Sequence, residues 1–149
     1  MSDNEHSSTI LYVDDDDNDV LLLKHALRST KLAFNLQVVN DPEKAGAYLA
    51  GEGIYADRKT YPMPALVLLD LKMPRMNGME VLAWIRSQPA LKRLVVVVLT
   101  ASNQEVEVNR AYEMGANSYL VKPVELESLV EIVRGLMSYW LVLNQRPTL

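Results

Sequence analysis

The sequence predicts an α/β protein, a three-layer (βα)5 sandwich built on a doubly wound parallel sheet. Short runs rich in strand formers alternate with helix-periodic stretches along the whole chain. The spacing leaves room for a crossover helix between successive strands, which makes those strands parallel. Two of the runs, Val67-Leu68-Leu69 and Val95 to Val98, are apolar at every position, as in a strand buried on both faces.

The elements follow in order. Residues 1–8 are polar and read as a flexible N-terminal tail. Ile10 to Val13 is the first strand, and it runs into four consecutive acids, Asp14 to Asp17. Val20, Leu23, Ala26 and Leu27 then recur at helical spacing, so a helix extends from Asn18 towards Lys31. Asp16, Asp17 or Asn18 can cap it, and the remaining acids suit its positive end. Asp16 and Asp17 could also strengthen an acidic metal site; capping is the preferred reading. Asn35 to Val39 is the second strand. Asp41-Pro42 starts the second helix, with Asp as cap and Pro at the first helical position, and it ends near Ala50. Residues 51–64 hold two glycines and two prolines among mostly polar neighbours and read as a long loop.

Ala65 to Leu69 is the third strand, ending at Asp70. Met73-Pro74 and Asn77-Gly78 mark a loop, and Met79 to Ser87 a helix. Leu94 to Leu99 is the fourth strand, closing at Thr100. A helix spans Glu105 to Glu113 and stops at Gly115. Asn117 to Val121 is the fifth strand, ending at Lys122-Pro123, and the last helix runs from Glu125 past Trp140. The folded domain therefore covers 9–143, with 144–149 as a C-terminal tail.

Composition narrows the function. The 149 residues suit one domain, and the net charge of −4 argues against a nucleic-acid binder. Without cysteine there is no disulfide, thiolate nucleophile or Cys-ligated zinc. No apolar run has the ~20 residues of a membrane span, and nothing at the N-terminus resembles a secretory signal. A cytoplasmic location is expected. His6 and His25 show no ligand spacing.

In an open parallel sheet, ligands bind beyond the carboxyl ends of the strands. Here those ends carry Asp14-Asp15, Asp70, Thr100 and Lys122. Clustered carboxylates repel, and Mg²⁺, an oxygen-seeking ion that keeps several waters, relieves the repulsion. A further carboxylate can attack phosphorus and form an acyl phosphate. The transferred group spreads charge over three oxygens, which Mg²⁺, the Lys122 ammonium and the Thr100 hydroxyl can each meet.

Val13-Asp14-Asp15, Leu69-Asp70-Leu71-Lys72-Met73-Pro74 with Asn77-Gly78, Leu99-Thr100-Ala101, and Tyr119-Leu120-Val121-Lys122-Pro123 together resemble the response-regulator receiver family over residues 9–141. The resemblance implies a flavodoxin-like receiver fold, with Asp70 as phospho-acceptor. It implies Mg²⁺ (or Mn²⁺) held by Asp14, Asp15, Asp70 and the backbone carbonyl of Lys72. It further implies that Thr100 and Lys122 sense the phosphoryl group, that Tyr119 swings inward when Thr100 moves, and that the Lys122–Pro123 bond is cis. A lysine at position 72 is less usual, and it bears on phosphoryl lifetime. The implied protein is a phosphorelay regulator rather than a turnover enzyme, and a sensor histidine kinase is its phosphodonor. Two alternatives stand beside it. One is a metal-dependent phosphatase of the haloacid dehalogenase type, with Asp14 as nucleophile, although Asn18 stands where that family expects a hydroxyl. The other is a phosphorylation-independent pseudo-receiver.

Output must then pass through protein contacts, to a downstream protein that the sequence does not name. Leu126, Leu129, Val130, Val133, Leu136, Met137 and Trp140 make one apolar face of the last helix. Ile132, Tyr139 and Leu143 form an adjacent stripe, wider than one core contact needs. It is expected to form a homodimer interface with helix four and strand five; cover by the C-terminal tail is the alternative. The 51–64 insert and the Trp140-Leu141 ending resemble the small regulators paired with bacterial and cyanobacterial phytochrome-type kinases.

Overall fold

The computed structural model describes residues 8–72 and 77–149. Five parallel strands form one sheet: β1 (Thr9–Val13), β2 (Asn35–Val39), β3 (Leu66–Leu69), β4 (Val96–Thr100) and β5 (Ser118–Val121), in the order β2-β1-β3-β4-β5. Five helices connect or follow them: α1 (Asp17–Ser29), α2 (Pro42–Ala50), α3 (Gly78–Ser87), α4 (Glu105–Glu113) and α5 (Leu126–Met137). The predicted three-layer doubly wound architecture is the one observed. Residues 73–76, which include Met73-Pro74, and the 1–7 tail lie outside the described residues.

The layers follow from the two-residue period of a strand. Ile10, Tyr12, Leu66, Leu68, Val97 and Leu99 pack with the apolar stripes of α1 and α5. Their neighbours in sequence, Leu11, Val13, Val67, Leu69, Val96 and Val98, pack on the opposite face against α2, α3 and Ala111 of α4. Every residue of β1, β3 and β4 is buried, so both faces contribute. At 1.5–3 kcal/mol for each large side chain as a rough scale, α1 is held by Val20, Leu23 and Leu27 rather than by its own propensity.

Helix boundaries reflect local chemistry. Asp16 caps α1, its carboxylate accepting the amides of Asn18 at 2.9 Å and Asp19 at 3.2 Å. Asp41 caps α2 through the Glu43 amide, with Pro42 at its first position, and Gly51 closes it at φ +71°.

The 51–64 segment is more ordered than a plain loop. A 3-10 turn spans Gly53–Ala56, and Tyr48, Tyr55 and Tyr61 stack with centroids 5.0–5.9 Å apart. Arg58 donates to the carbonyls of Tyr48 and Leu49, which satisfies the end of α2. The last helix departs from prediction too: α5 ends at Met137 and continues as a π-helix over Ser138–Leu143. Leu126, expected in the core, is 37% exposed at the first position of α5, whose buried residues begin at Leu129.

Candidate functional site

Strand register assembles the site. Val13 lies opposite Leu69, so Asp14 and Asp70 leave adjacent strands side by side; the Asp70 amide donates to the Val13 carbonyl at 3.0 Å. Thr100 lies opposite Val121, and the Lys122 amide donates to the Thr100 carbonyl at 2.7 Å. Asp14 shares the parity of Ile10 and Tyr12, Asp70 that of Leu66 and Leu68, and Lys122 that of Leu120, all on the α1/α5 side. Those three side chains therefore meet beneath the first turn of α1.

The Lys122 ammonium is their common partner. Nζ donates to Asp14 Oδ2 at 2.7 Å, Asp19 Oδ2 at 2.8 Å and Asp70 Oδ2 at 3.0 Å. An ammonium has three donors, so all are used. Asp14 is fully buried and Asp70 nearly so. The Tyr12 hydroxyl donates to the same Asp14 Oδ2 at 2.5 Å, while the Asp16 amide donates to Oδ1 at 2.9 Å. The Lys72 amide donates to Asp70 Oδ1 at 3.1 Å.

Electrostatics follow from burial and pairing. Burial raises the Asp70 carboxyl above the ordinary carboxylate range, against the Lys72 amide and the Lys122 ammonium, which stabilise its ionised form. Burial by itself would make Lys122 easier to deprotonate, but Tyr12, Asp14, Asp19 and Asp70 more than reverse this and hold it protonated. Burial lifts the Tyr12 phenol as well.

The residues fit a divalent cation. Oxygens of Asp14, Asp19 and Asp70 lie within 4.8 Å of one another, an all-oxygen set suited to a hard ion. The lysine ammonium among them shows that this geometry holds positive charge. Asp15 is partly exposed and outside this trio; its parity is that of Leu11 and Val13, which face the other layer.

Thr100 has the opposite parity from Asp70 and is fully buried, and its Oγ1 has no hydrogen-bond partner among the described residues. Tyr119, on the same face, packs partly buried against the α2/α3/α4 core, and its hydroxyl donates to the Ser102 carbonyl at 2.9 Å. Burial raises this phenol too. Gly78, the first residue of α3, admits no side chain: a Cβ there would lie 2.4 Å from the Asp70 carbonyl oxygen.

Tyr12 and Asp19 are the participants that sequence reading missed. Tyr12 reads as a core strand residue and Asp19 as a helix-dipole acid. The available signal was parity for Tyr12, two residues before Asp14, and for Asp19 a place in the first turn of the helix above the strand ends. The Lys122–Pro123 bond is trans, against the cis expectation. X–Pro bonds favour trans by ~0.5–1 kcal/mol, and the trans chain already delivers the ammonium to its carboxylates.

A family profile described as "Response regulator receiver domain" matches residues 10–134. The chain belongs to the response-regulator receiver family. It is 39% identical to Response regulator Rcp1 of Synechocystis sp. (strain ATCC 27184 / PCC 6803 / Kazusa), over 95% of each chain. Among solved structures, it resembles the phosphorylated cyanobacterial phytochrome response regulator RcpA with a TM-score of 0.87 and 37% identity, over 95% of this chain and 99% of that one. It resembles the Mn²⁺-bound form of Rcp1 with a TM-score of 0.83 and 38% identity, at the same coverages. RPA3017, a response regulator in red light signaling of R. palustris, gives a TM-score of 0.91 at 36% identity, also at those coverages. The match to the receiver family does not favour the phosphatase alternative.

On the last helix of this receiver, Ile132 is partly buried, whereas Tyr139 and Leu143 are 51% and 74% exposed. The tail does not fold over them. Arg146 donates to Ser8 Oγ at 2.9 Å, and Pro147 and Leu149 line a cleft at the amino edge of the sheet. No described helix is long and apolar enough to cross a membrane.

Proposed function

We propose that Asp70 is the phospho-acceptor of a phosphorelay and that a histidine kinase is the donor. One observation carries the reading. A carboxylate that is nearly buried shares a lysine ammonium with Asp14 and lies at the same sheet edge as a buried, unpartnered threonine hydroxyl. An Asp70 carboxylate oxygen attacks phosphorus as the N–P bond of a phosphohistidine breaks and the imidazole leaves. Asp14 and Asp70, with Asp15 and the Lys72 carbonyl, would hold Mg²⁺ or Mn²⁺, which would supply charge compensation for the phosphoryl oxygens. Lys122 meets one phosphoryl oxygen and the Thr100 hydroxyl another. Drawing Thr100 to the phosphoryl group vacates space on the face it shares with Tyr119. Tyr119, whose hydroxyl already holds the Ser102 carbonyl without a phosphoryl group, is then the switch, its ring moving inward into that space.

The similarity to Rcp1 and RcpA supports a phytochrome-type kinase as donor. The exposed leucines Leu21 and Leu22 of α1, with Val124 and Leu126 just past the site, give that donor an apolar surface beside Asp19 and Lys122. Output passes through a homodimer formed by Ile132, Tyr139 and Leu143 with α4 and β5, where Val106 and Tyr112 are also exposed.

Incubation with Mg²⁺ and acetyl phosphate, followed by intact mass, tests the chemistry. One phosphoryl adduct is expected on the wild type, none on Asp70→Asn and none with a chelator. Lack of an adduct on the wild type points to a pseudo-receiver, and an adduct that survives Asp70→Asn but not Asp14→Asn points to the phosphatase. For the dimer, sedimentation should show a two-chain species that Leu143→Asp dissociates; a monomer with and without an acyl-phosphate mimic refutes it.

A further inference from the structure

Three carboxylates hold the Lys122 ammonium, but the chemistry proposed above changes the partners of only two. Asp70 gives an oxygen to phosphorus, and Asp14 turns an oxygen to the cation. Asp19 undergoes no such exchange. Its Oδ2 is 2.8 Å from Nζ, and among the described residues its carboxylate has no other hydrogen-bonded partner.

Asp19 is also firmly mounted. The Asp16 cap fixes its amide, and Val20 and Leu23, immediately beyond it on α1, are buried in the core. Lysine, by contrast, carries its charge on a long flexible stem and loses its aim readily. An ammonium released by Asp14 and Asp70 would swing into solvent unless a third acceptor kept it near the reacting atoms.

We infer that Asp19 is a positioning residue that anchors the Lys122 ammonium while Asp14 and Asp70 exchange partners. This rests on the functional reading above and gives Asp19, one of the three carboxylates clustered there, a task distinct from holding the cation. It places the first turn of α1 in control of where the site's lysine points.

The test compares Asp19→Ala, Asp19→Asn and Asp17→Ala. Asp17 is the other acid in the first turn of α1, exposed and without a Lys122 contact, so its loss alters the helix terminus alone. The first readout is the Lys122 ammonium signal in a ¹H–¹⁵N correlation spectrum of metal-free protein carrying Asp14→Asn and Asp70→Asn, which removes the charge of the two carboxylates that exchange partners; it is assigned by its absence in Lys122→Met. A hydrogen-bonded ammonium exchanges slowly enough to be seen. In that background the signal should persist with Asp19 intact and in Asp17→Ala, weaken in Asp19→Asn, whose amide oxygen still accepts, and vanish in Asp19→Ala. The second readout is adduct formation from acetyl phosphate, expected to slow about five- to tenfold in Asp19→Ala and to stay near wild type in Asp17→Ala.

An unchanged ammonium signal in Asp19→Ala overturns the inference. Loss of signal in that metal-free sample cannot come from cation ligation, so it separates anchoring from a direct metal role. Should the wild type form no adduct, the phosphorelay reading fails, while the ammonium signal still decides the place of Asp19.

Discussion

Thr100 is the residue at which cost and role are most openly opposed. A buried hydroxyl without a partner costs roughly 1–3 kcal/mol, and Thr100 Oγ1 is such a group. Valine has the same shape and no hydroxyl. Thr100→Val should therefore raise the urea stability of the unphosphorylated protein by about 1 kcal/mol. The same variant should still take up a phosphoryl group on Asp70, but without the inward movement of Tyr119 proposed for the wild type. A destabilised Thr100→Val would mean that the hydroxyl has a partner in solution. Position at a strand end made Thr100 and Lys122 legible as candidates from sequence. Which of the adjacent acids Asp14 and Asp15 would share the face of Asp70 was not, because the two look equivalent until alternation sends them to opposite faces.

At the scale of an element, α3 is set by its first residue. The Gly78 amide donates to the Leu71 carbonyl at 2.9 Å, and Asn77 caps the helix through the Glu80 amide at 3.0 Å. A methyl at 78 would collide with the backbone of Asp70 and Leu71, neither of which can yield as a side chain could. Gly78→Ala should cost about 1–3 kcal/mol, as overpacking does. It should also slow adduct formation, since the strain falls on the acceptor's own peptide; chemical denaturation and intact mass read the two effects separately. The last helix gives a different lesson. Its apolar content was plain in sequence, but the switch to π-helix after Met137 was not. That turn leaves Trp140 partly buried against the core and Tyr139 outward, the two rings meeting edge to face at 4.8 Å.

For the whole molecule, the buried charge cluster sets the pH response. Lys122 and Tyr12 both have protonation constants raised by the fold, from 10.5 and 10.0. A raised constant means that the folded state holds its proton when the unfolded state has released it. Their contribution is complete at neutral pH and is lost as the pH climbs past about 10. Asp70 is also raised, from 3.8. Its contribution is present below that value and lost as the pH rises through the folded constant, so it favours the folded state in acid. Stability should thus be nearly flat from pH 7 to 9 and fall above about 10, as the unfolded state releases protons that the folded state retains. Thermal unfolding across that range checks this, with Lys122→Met expected to lose the alkaline fall contributed by the lysine.

The sequence by itself determined the layers, the strand ends and the residue types placed there. Alternation of strand and helix signals fixes parallel connections, and two-residue parity assigns each side chain to a face; both are local properties of the chain. Tertiary structure alone decided which side chains share a partner. Strand order put β1 beside β3, the crossover of α1 brought Asp19 over the strand ends, and the two together set three acids around one lysine. Such a contact, between residues 103 positions apart in the case of Asp19 and Lys122, depends on how whole elements pack, and no local pattern encodes it.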